Sequence, residues 1–453
     1  MNDTAALSRF AATLRDDEVP EQTRRHARRA LLDWTGVAIA GAAEPSVRIL
    51  REVVLDGAVG HRYRLAGTSQ ATDSAPLAAL LNGAASHALD FDDLHNPSVI
   101  HPGTVVIPAA LAAATANRAS GRRLLTAIVA GFEVGGRVGE SIIPESYYYW
   151  HTTGTAGVFG AAAAAGVLYG LDATQMQHCL GTAGTQAAGL WEFLADGAMS
   201  KVVHAGKAAM AGVLSAALSA RGMTGATAIL EGEKGFCRAL SGAPHWERLT
   251  AGLGQPPYAV DNNSFKPYPC CRHAHAAIAA AIELREEGAG IARVTLHANA
   301  LTRTLIDNPD PRTAYGCKFS VQYCLACALR DGNVTLSHFT ESSRRDKTLR
   351  ALMRRITVVP APDLDELRAA DPGKMPARLT VHMTDGRTAE TTVLYPPGDP
   401  AAPLTDEQLT AKYRALVAPY ISRRRADALY DCIRHTETCP DWDTAWRQAA
   451  EID

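Results

Sequence analysis

The sequence predicts a mainly α-helical protein with a smaller α+β part. Segments rich in alanine, leucine and valine, with arginine or glutamate on one face, fill most of the chain up to residue 258. Two later segments, 293–300 and 377–395, instead alternate apolar and polar residues with a period of two, as β-strands do. We therefore expect helices at 1–258, an α+β domain at 259–400, and C-terminal helices at 401–453.

Capping and turn residues mark the ends of several elements. Asp172 with Gln175, and Thr405 with Gln408, are spaced as capping boxes at helix starts. The tetrapeptide "TDGR" at 384–387 predicts a hairpin turn between two strands. The alanine-rich run 156–171 is too short, and too poor in large apolar residues, to span a membrane, so we predict a buried helix there.

Composition limits the classes of function. The 453 residues carry 45 lysines and arginines against 47 aspartates and glutamates, and the formal net charge is −2. This balance predicts no basic surface for nucleic acid or for an anionic membrane, so we expect neither as a partner. The nine cysteines show no regular spacing, and the first residues lack the apolar stretch of a signal peptide. Both features favour free thiols in the cytoplasm.

The segment "HALDFDDLHNPSVIHPG", residues 87–103, concentrates titratable side chains. It could be a metal site, an acid–base site, or a polar helix end that caps backbone groups. The segment lacks a ligand pair with a known helical spacing, and Cys324 with Cys327 has no second cysteine pair to complete a zinc site. We therefore expect no metal and favour acid–base chemistry.

Further polar groups interrupt otherwise apolar helical segments. They are His151, then Lys201 with His204 and Lys207, then Lys266 before Pro267 and Pro269, and then Lys318 with Tyr323. A single lysine or histidine at a helix end is usually a solvated or dipole-stabilised group, so only the whole set is informative. Cations from several segments with a carboxylate from another suit a pocket for a small polyanion that undergoes proton transfer.

The three aspartates of the first segment are predicted to differ in role. If residues 86–95 continue as a helical turn, Asp90 and Asp93 share a face, flanked by His87 and His101, and Asp92 points about 200° away from Asp90. Asp90 has apolar neighbours in sequence. We therefore predict that Asp90 is the functional carboxylate, paired with a lysine or histidine, and that Asp92 and Asp93 cap backbone amides.

Five motifs in this order closely resemble the MmgE/PrpD family over about residues 5 to 450. They are "LDFDDLH" followed by "HPG", "HTTGTAGVFGAA", "KVVHAGKAA", "FKPYPCCRHAHAAI" and "KFSVQY". The family includes 2-methylcitrate dehydratase, cis-aconitate decarboxylase and iminodisuccinate epimerase. The resemblance implies a large all-helical domain built from both ends of the chain and a smaller inserted α+β lid domain. It also implies a homodimer that works without metal or organic cofactor.

The resemblance also implies specific site residues. Those matching the family's active-site motifs are predicted to be catalytic: Asp90, His101, His151, Lys201, Lys266 and Tyr323. Further candidates for substrate binding are Leu94, His95, His204, Lys207, His273, His275 and Lys318. Leu94 stands where relatives often carry a threonine; if that hydroxyl contacts substrate, this protein either acts on a different acid or leaves one substrate carboxylate less supported. His273 and His275 are expected to orient the turn around Lys266.

The resemblance implies a cofactor-independent lyase that dehydrates or decarboxylates a small di- or tricarboxylic acid, because most of the named relatives are lyases. Such reactions pass through enolate-like transition states, which lysines can stabilise while a carboxylate or histidine moves protons. The first alternative is an epimerase or isomerase that removes and returns a proton on a dicarboxylate. A non-catalytic polycarboxylate binder and a helical scaffold are further alternatives, although scaffolds commonly show repeats and none is evident here.

Overall fold

A computed structural model gives the structure of the chain and describes residues 2–288, 290–371 and 373–451. The helices, in chain order, are α1 Asp3–Thr13, α2 Glu21–Gly41, α3 Pro45–Leu55, α4 Ala75–His87, α5 Pro102–Asn117, α6 Gly121–Ile142, α7 Thr152–Thr155, α8 Gly157–Tyr169, α9 Ala173–Gly184, α10 Phe193–Asp196, α11 Lys201–Ser219, α12 Phe236–Leu240, α13 Glu247–Thr250, α14 His275–Glu283, α15 Ala300–Ile306, α16 Val321–Asp331, α17 Glu341–Arg344, α18 Lys347–Met353, α19 Pro362–Ala370, α20 Asp406–Val417, α21 Arg423–Arg434 and α22 Trp442–Ala450. The strands are β1 Tyr63–Arg64, β2 Ala71–Thr72, β3 Leu94–His95, β4 Asn263–Ser264, β5 Ile291–Ala298, β6 Ile356–Pro360, β7 Ala377–Met383 and β8 Thr388–Val393.

The chain divides into two compact units. The first combines Met1–Phe265 with Thr405–Asp453, and the second is Lys266–Leu404. The first unit is helical apart from short two-stranded pairings, and the second combines helices with a four-stranded sheet. This confirms the predicted fold class. Both unit boundaries lie a few residues after those predicted from the change in sequence pattern. The first boundary is later because β4 pairs with β3 and so keeps the chain up to Phe265 in the first unit.

Close packing of small residues forms the centre of the helical unit. Helix α8 is buried over Gly157–Leu168, which confirms the buried helix predicted there. A Cβ added at Gly160 would lie 2.6 Å from the carbonyl oxygen of Gly131 on α6, so glycine allows these two backbones to approach. One helix, Lys201–Ser219, is long and apolar enough to cross a membrane by composition, but 61% of the tested segment is buried inside the protein, as in a core helix.

The second unit is built on a mixed sheet in the order β6-β5-β7-β8. Strand β5 pairs in parallel with β6 and antiparallel with β7, and β7 and β8 form the predicted hairpin. The turn between them contains Gly386 at φ +91°, a backbone conformation that glycine adopts without strain. Both predicted capping boxes, which begin α9 and α20, are also present.

Candidate active site

The segment that carries the three aspartates is a loop between α4 and α5. Helix α4 ends at His87, and Asp90 has a φ of +54°, in the left-handed region. The predicted helical turn over residues 86–95 is therefore wrong. Aspartate is one of the few non-glycine residues that enter the left-handed region, and here the surrounding contacts hold it there.

Asp90 forms a buried ion pair with the first residue of α11. The Nζ of Lys201 donates to Oδ1 of Asp90 at 2.5 Å, and both side chains are buried. The prediction that Asp90 is paired with a lysine or histidine is confirmed. The charge of Lys201 contributes to lowering the pKa of His87 and of His151.

Asp92 holds two histidines together. The Nδ1 of His87 lies 2.6 Å from Oδ2 of Asp92, at hydrogen-bond distance, and the Nδ1 of His101 lies 3.1 Å from the same oxygen. The prediction that Asp92 caps backbone amides is wrong, and so is the prediction that these histidines flank Asp90 and Asp93. Both errors follow from the helical turn assumed in the sequence, which directs Asp92 away from the other two carboxylates.

Asp93 has the structural role predicted for it. Its Oδ1 accepts from the backbone N–H of Gly103 at 2.9 Å, and its Oδ2 accepts from the side-chain amide of Asn263 at 2.7 Å. A Cβ added at Gly103 would lie 2.6 Å from Oδ1 of Asp93, so the glycine of the "HPG" motif permits this cap. Burial, followed by the nearby Asp33, raises the pKa of Asp93 well above its usual range.

His151 and His204 extend the group. The rings of His87, His101 and His151 lie within 6.4 Å of one another, centroid to centroid. The Nδ1 of His151 lies 3.2 Å from the Nδ1 of His204, and the ring of Trp191 lies 4.7 Å from His151. The start of α7 helps to fix the arrangement, because the hydroxyl of Thr153 accepts from the backbone N–H of His101 at 3.1 Å.

The electrostatics keep the imidazoles of His87, His151 and His204 neutral and the carboxylate of Asp92 charged. Burial lowers the pKa of His87 to about 4, although Asp92 opposes the shift. Burial, followed by His87 and Lys201, lowers the pKa of His151 well below its usual value, and burial lowers that of His204 to about 4. Burial also acts to raise the pKa of Asp92, but interactions with His101 and His87 outweigh it and hold the value well below the usual range.

The charge on Asp92 determines which ring nitrogen of His87 carries a proton. An ionised Asp92 can only accept hydrogen bonds, so a neutral His87 donates its Nδ1–H to it and carries a lone pair on Nε2. The Nε2 atoms of His87 and His151 are buried and have no hydrogen-bond partner among the described residues. Each of these two nitrogens therefore has an unused hydrogen-bonding position, which a role in proton transfer requires.

Within the described residues, His87, Asp92 and His101 form a group that could hold a metal ion, since their ligand atoms lie within 4.8 Å of one another. The 2.6 Å separation of His87 Nδ1 and Asp92 Oδ2 is a hydrogen-bond distance. Two ligand atoms on one tetrahedral zinc would be about 3.3 Å apart, given bonds of about 2 Å. As arranged, His87 and Asp92 share a proton, and the absence of a metal at this group stays a prediction.

Lys412, on the C-terminal helix α20, supports the loop between α4 and α5. The Nζ of Lys412 donates to the backbone carbonyl of Phe91 at 2.7 Å and lies 2.7 Å from Oδ1 of the buried Asp33. It also stands 4.0 Å from the centroid of the Phe91 ring. Phe91 lies between Asp90 and Asp92, so Lys412 anchors the residue that separates these two carboxylates.

Three other residues of the first unit are predicted from the sequence to bind substrate: Leu94, His95 and Lys207. Leu94 and His95 form the short strand β3, where both side chains are buried and the Nδ1 of His95 lies 2.8 Å from the hydroxyl of Ser98. Lys207 lines a cleft of about 380 Å³ together with His204. Substrate binding by Leu94, His95, His204 and Lys207 stays a prediction.

The remaining predicted residues belong to the second unit. Lys266 is buried, and its role stays a prediction. The ring of His275 contacts Arg272 at 2.9 Å and the carbonyl of Cys270 at 3.2 Å, which agrees with a role in orienting the turn. Burial lowers the pKa of His273 on the same turn to about 3.

Lys318 and Tyr323 are also held by backbone groups of the second unit. The Nζ of Lys318 donates to the carbonyl of Pro269 at 3.0 Å, so it supports the turn that follows Lys266. The hydroxyl of Tyr323 donates to the carbonyl of His338 at 2.5 Å, and the side chain is fully buried. Binding by Lys318 and catalysis by Tyr323 stay predictions.

Two members of the group are not predicted from the sequence. The assumed helix places Asp92 on the wrong face, and it makes His87 only a flanking residue. Their separation of five residues gives no signal for a helical or strand contact. A signal for His87 could have been found in its position, because a histidine that ends an alanine-rich apolar helix is otherwise unexplained.

Comparisons with known proteins agree with this layout. Residues 5–249 match the MmgE/PrpD N-terminal domain, and residues 268–437 match the MmgE/PrpD C-terminal domain. The chain is 27% identical to a cis-aconitate decarboxylase-like protein, oryM, of Aspergillus oryzae, over 97% of this chain and 95% of the relative. It is 26% identical to cis-aconitate decarboxylase of Aspergillus terreus, with coverages of 97% and 94%, and to that of Homo sapiens, with coverages of 80% and 77%. The chain therefore belongs to the MmgE/PrpD family.

Proposed function

We propose that the protein is a lyase that acts on a small di- or tricarboxylic acid by acid–base catalysis, with decarboxylation as the favoured reaction. The observation that carries the proposal is the group of His87, Asp92, His101 and His151 beside the Asp90–Lys201 pair. The similarity to cis-aconitate decarboxylases over nearly the whole chain supports the choice of reaction and substrate class.

The proposed chemistry uses each part of the group. The Lys201 ammonium attracts a substrate carboxylate and stabilises negative charge that develops next to it. In decarboxylation the bond between carbon and carboxylate breaks, carbon dioxide leaves, and the electron pair remains on carbon. An imidazole N–H of the group then gives that carbon a proton, so each turnover consumes one proton from solution. The charge of Asp92 stabilises the imidazolium that precedes this transfer.

Product analysis tests the proposal. The purified protein is incubated with cis-aconitate, citrate-type hydroxy acids and chiral dicarboxylates, and products are identified by NMR. Formation of a decarboxylated or dehydrated acid supports the lyase. Inversion at carbon without loss of a group identifies the epimerase instead, and saturable binding without any turnover identifies the non-catalytic binder.

The predicted assembly is part of the same proposal. We propose a homodimer that needs no added metal or organic cofactor, as the family resemblance implies. Light scattering after size exclusion gives the mass to compare with twice the 48.1 kDa of one chain. Activity that is unchanged after treatment with EDTA supports catalysis without a divalent metal, and activity that disappears and returns with a metal contradicts it.

A further inference from the structure

A second cavity lies in the helical unit, away from the histidine group. It has a volume of about 260 Å³ and is bounded by α2, α4, α5, α21, α22 and the segment 63–69. Leu111 of α5 lines it, ten residues after His101, which is about 15 Å along the helix at 1.5 Å per residue. The cavity and the histidine group therefore lie towards opposite ends of α5.

The side-chain acceptors in the cavity wall already have donors. Asp443 accepts from the hydroxyl of Thr115 at 2.8 Å and from an arginine of its own helix at 2.7 Å. The side-chain oxygen of Asn82 accepts from a backbone N–H at 2.9 Å. Glu451 is paired with Arg64. The wall therefore offers few acceptors to a bound molecule.

Three hydrogen-bond donors in the same wall have no acceptor among the described residues. Trp34 is only 3% exposed, and its indole Nε1 has no acceptor among the described residues. The buried Nε atoms of Arg64 and Arg425 likewise have none within the described part of the chain. A buried donor without an acceptor costs about 1–3 kcal/mol, so the partner that this wall lacks is an acceptor.

Charge and shape narrow the class of ligand. Arg64 is neutralised by Glu451, but Arg425 has no ion-pair partner among residues 2–288, 290–371 and 373–451. One uncompensated guanidinium matches a monoanion, and its planar fork matches a carboxylate. The indoles of Trp442 and Trp446, stacked with centroids 5.5 Å apart, give the wall flat apolar surface.

We propose that this cavity binds a small planar monocarboxylate, with its carboxylate at Arg425 and Trp34 and its flat body against the indoles of α22. The proposal is independent of the reaction assigned to the histidine group. It adds a second ligand site about 15 Å from that group, measured along α5.

Calorimetry on the full chain tests the proposal with benzoate as the probe. Cyclohexanecarboxylate keeps the charge without the planar ring, and benzamide keeps the ring without the charge. We expect one saturable benzoate site per chain and binding at least tenfold weaker for both of the other compounds. Absence of saturable benzoate binding to the folded protein overturns the proposal, and so does equal binding of benzamide.

Matched variants locate the site. Arg425→Met should weaken benzoate binding at least tenfold, whereas Arg423→Met, on the same helix with a side chain that is 89% exposed, should leave it unchanged. Ala112→Leu fills the cavity without removing a polar group and serves as the second test if Arg425→Met does not fold. Lys201→Met separates the two sites: binding that survives in this variant supports the proposal. Binding that is lost with Lys201→Met, or that persists in both cavity variants, contradicts it.

Discussion

The Nζ of Lys201 and the Oδ1 of Asp90 lie 2.5 Å apart, although 111 residues separate them in the sequence. The pair joins the loop after α4 to the first residue of α11 and is buried on both sides. Its ammonium acts on the neighbouring imidazoles, since Lys201 contributes to lowering the pKa of His87 and of His151. The pair therefore has an electrostatic role in addition to joining two elements.

Asp90→Asn should lower both activity and stability. The amide keeps the shape of the side chain but leaves the Lys201 ammonium buried without its counter-charge. Removing one partner of a buried ion pair commonly costs about 3–5 kcal/mol. We expect a clear fall in Tm and a fall in kcat, measured by differential scanning fluorimetry and by the product assay.

The double variant Asp90→Asn with Lys201→Met provides the control. Both charges are then absent, so Tm should recover much of the loss while kcat stays low. If the double variant regains activity together with Tm, the pair is only structural. If Asp90→Asn alone leaves kcat unchanged, the pair has no part in the reaction.

Asp92→Asn should lower kcat by about 10²–10⁴, the usual contribution of acid–base assistance. The amide removes the charge that stabilises an imidazolium on His87 or His101. Asp93→Asn is the matched control, because Asp93 accepts from Gly103 and Asn263 and the amide oxygen can still accept one of these two hydrogen bonds. We expect Asp93→Asn to retain kcat within several-fold. Equal losses in the two variants would contradict the assignment of Asp92.

The pH dependence of kcat/KM should reflect neutral histidines. Burial lowers the pKa of His87 to about 4 and that of His151 well below 6.5, so both rings stay neutral when the pH falls slightly below 7. Because the proposed proton donor is the imidazolium, whose fraction grows as the pH falls towards 4, we expect kcat/KM to rise as the pH is lowered from 7 to about 5.5. An acid limb centred at 6.5, on a chemistry-limited assay, would show that these rings are not the proton carriers.

Buried neutral histidines should also make the fold sensitive to acid. Burial lowers the pKa of His95 to about 4 in the folded protein, against 6.5 for an ordinary histidine. Between pH 6.5 and pH 4 the histidine takes up a proton in the unfolded chain but stays neutral in the folded protein. The contribution of neutral His95 to the free energy of unfolding is therefore complete above pH 6.5 and is lost as the pH falls to 4. His95 should account for about 2 kcal/mol of the loss between pH 7.5 and pH 5. His95→Gln should therefore show a smaller drop in Tm over this interval than the wild type, and an equal drop would contradict the shift.

Lys412→Met should loosen the loop of Asp90 and Asp92. The variant removes the donor to the carbonyl of Phe91 and leaves the Asp33 carboxyl without its cation. We expect a fall in Tm together with a lower kcat, because Asp90 lies next to Phe91 at a φ of +54° that needs support. Arginine at this position should restore part of Tm. A Lys412→Met variant with normal Tm and normal kcat would show that the loop keeps its conformation without Lys412.

The sequence predicted the fold well because local patterns determine it. The buried α8, both capping boxes and the β7–β8 hairpin follow from composition and spacing over fewer than twenty residues each. The family motifs supplied the order of the two domains. The boundaries were less predictable, because the pairing of β4 with β3 joins segments about 170 residues apart.

The site was predicted in its residues but not in its pairings. Asp90, His101, His151 and Lys201 were all identified, yet periodicity assigned Asp92 to the wrong face. Helical periodicity in the sequence does not predict that α4 ends at His87 or that Asp90 adopts a left-handed backbone conformation. The contact of Lys412 with Phe91 spans 321 residues, and nothing in the local sequence indicates such a contact.

Exchange of hydrogen at substrate carbon in D₂O is the sharpest test of acid–base catalysis by the histidine group, because it detects proton transfer without assuming which product forms. The wild-type protein is incubated in D₂O with cis-aconitate and related di- and tricarboxylic acids, and deuterium at carbon is measured by NMR. We expect incorporation with at least one of these acids and a loss of about a hundredfold or more in Asp92→Asn. A folded wild-type protein that binds these acids and incorporates no deuterium, or an Asp92→Asn variant as fast as the wild type, would contradict acid–base catalysis by this group.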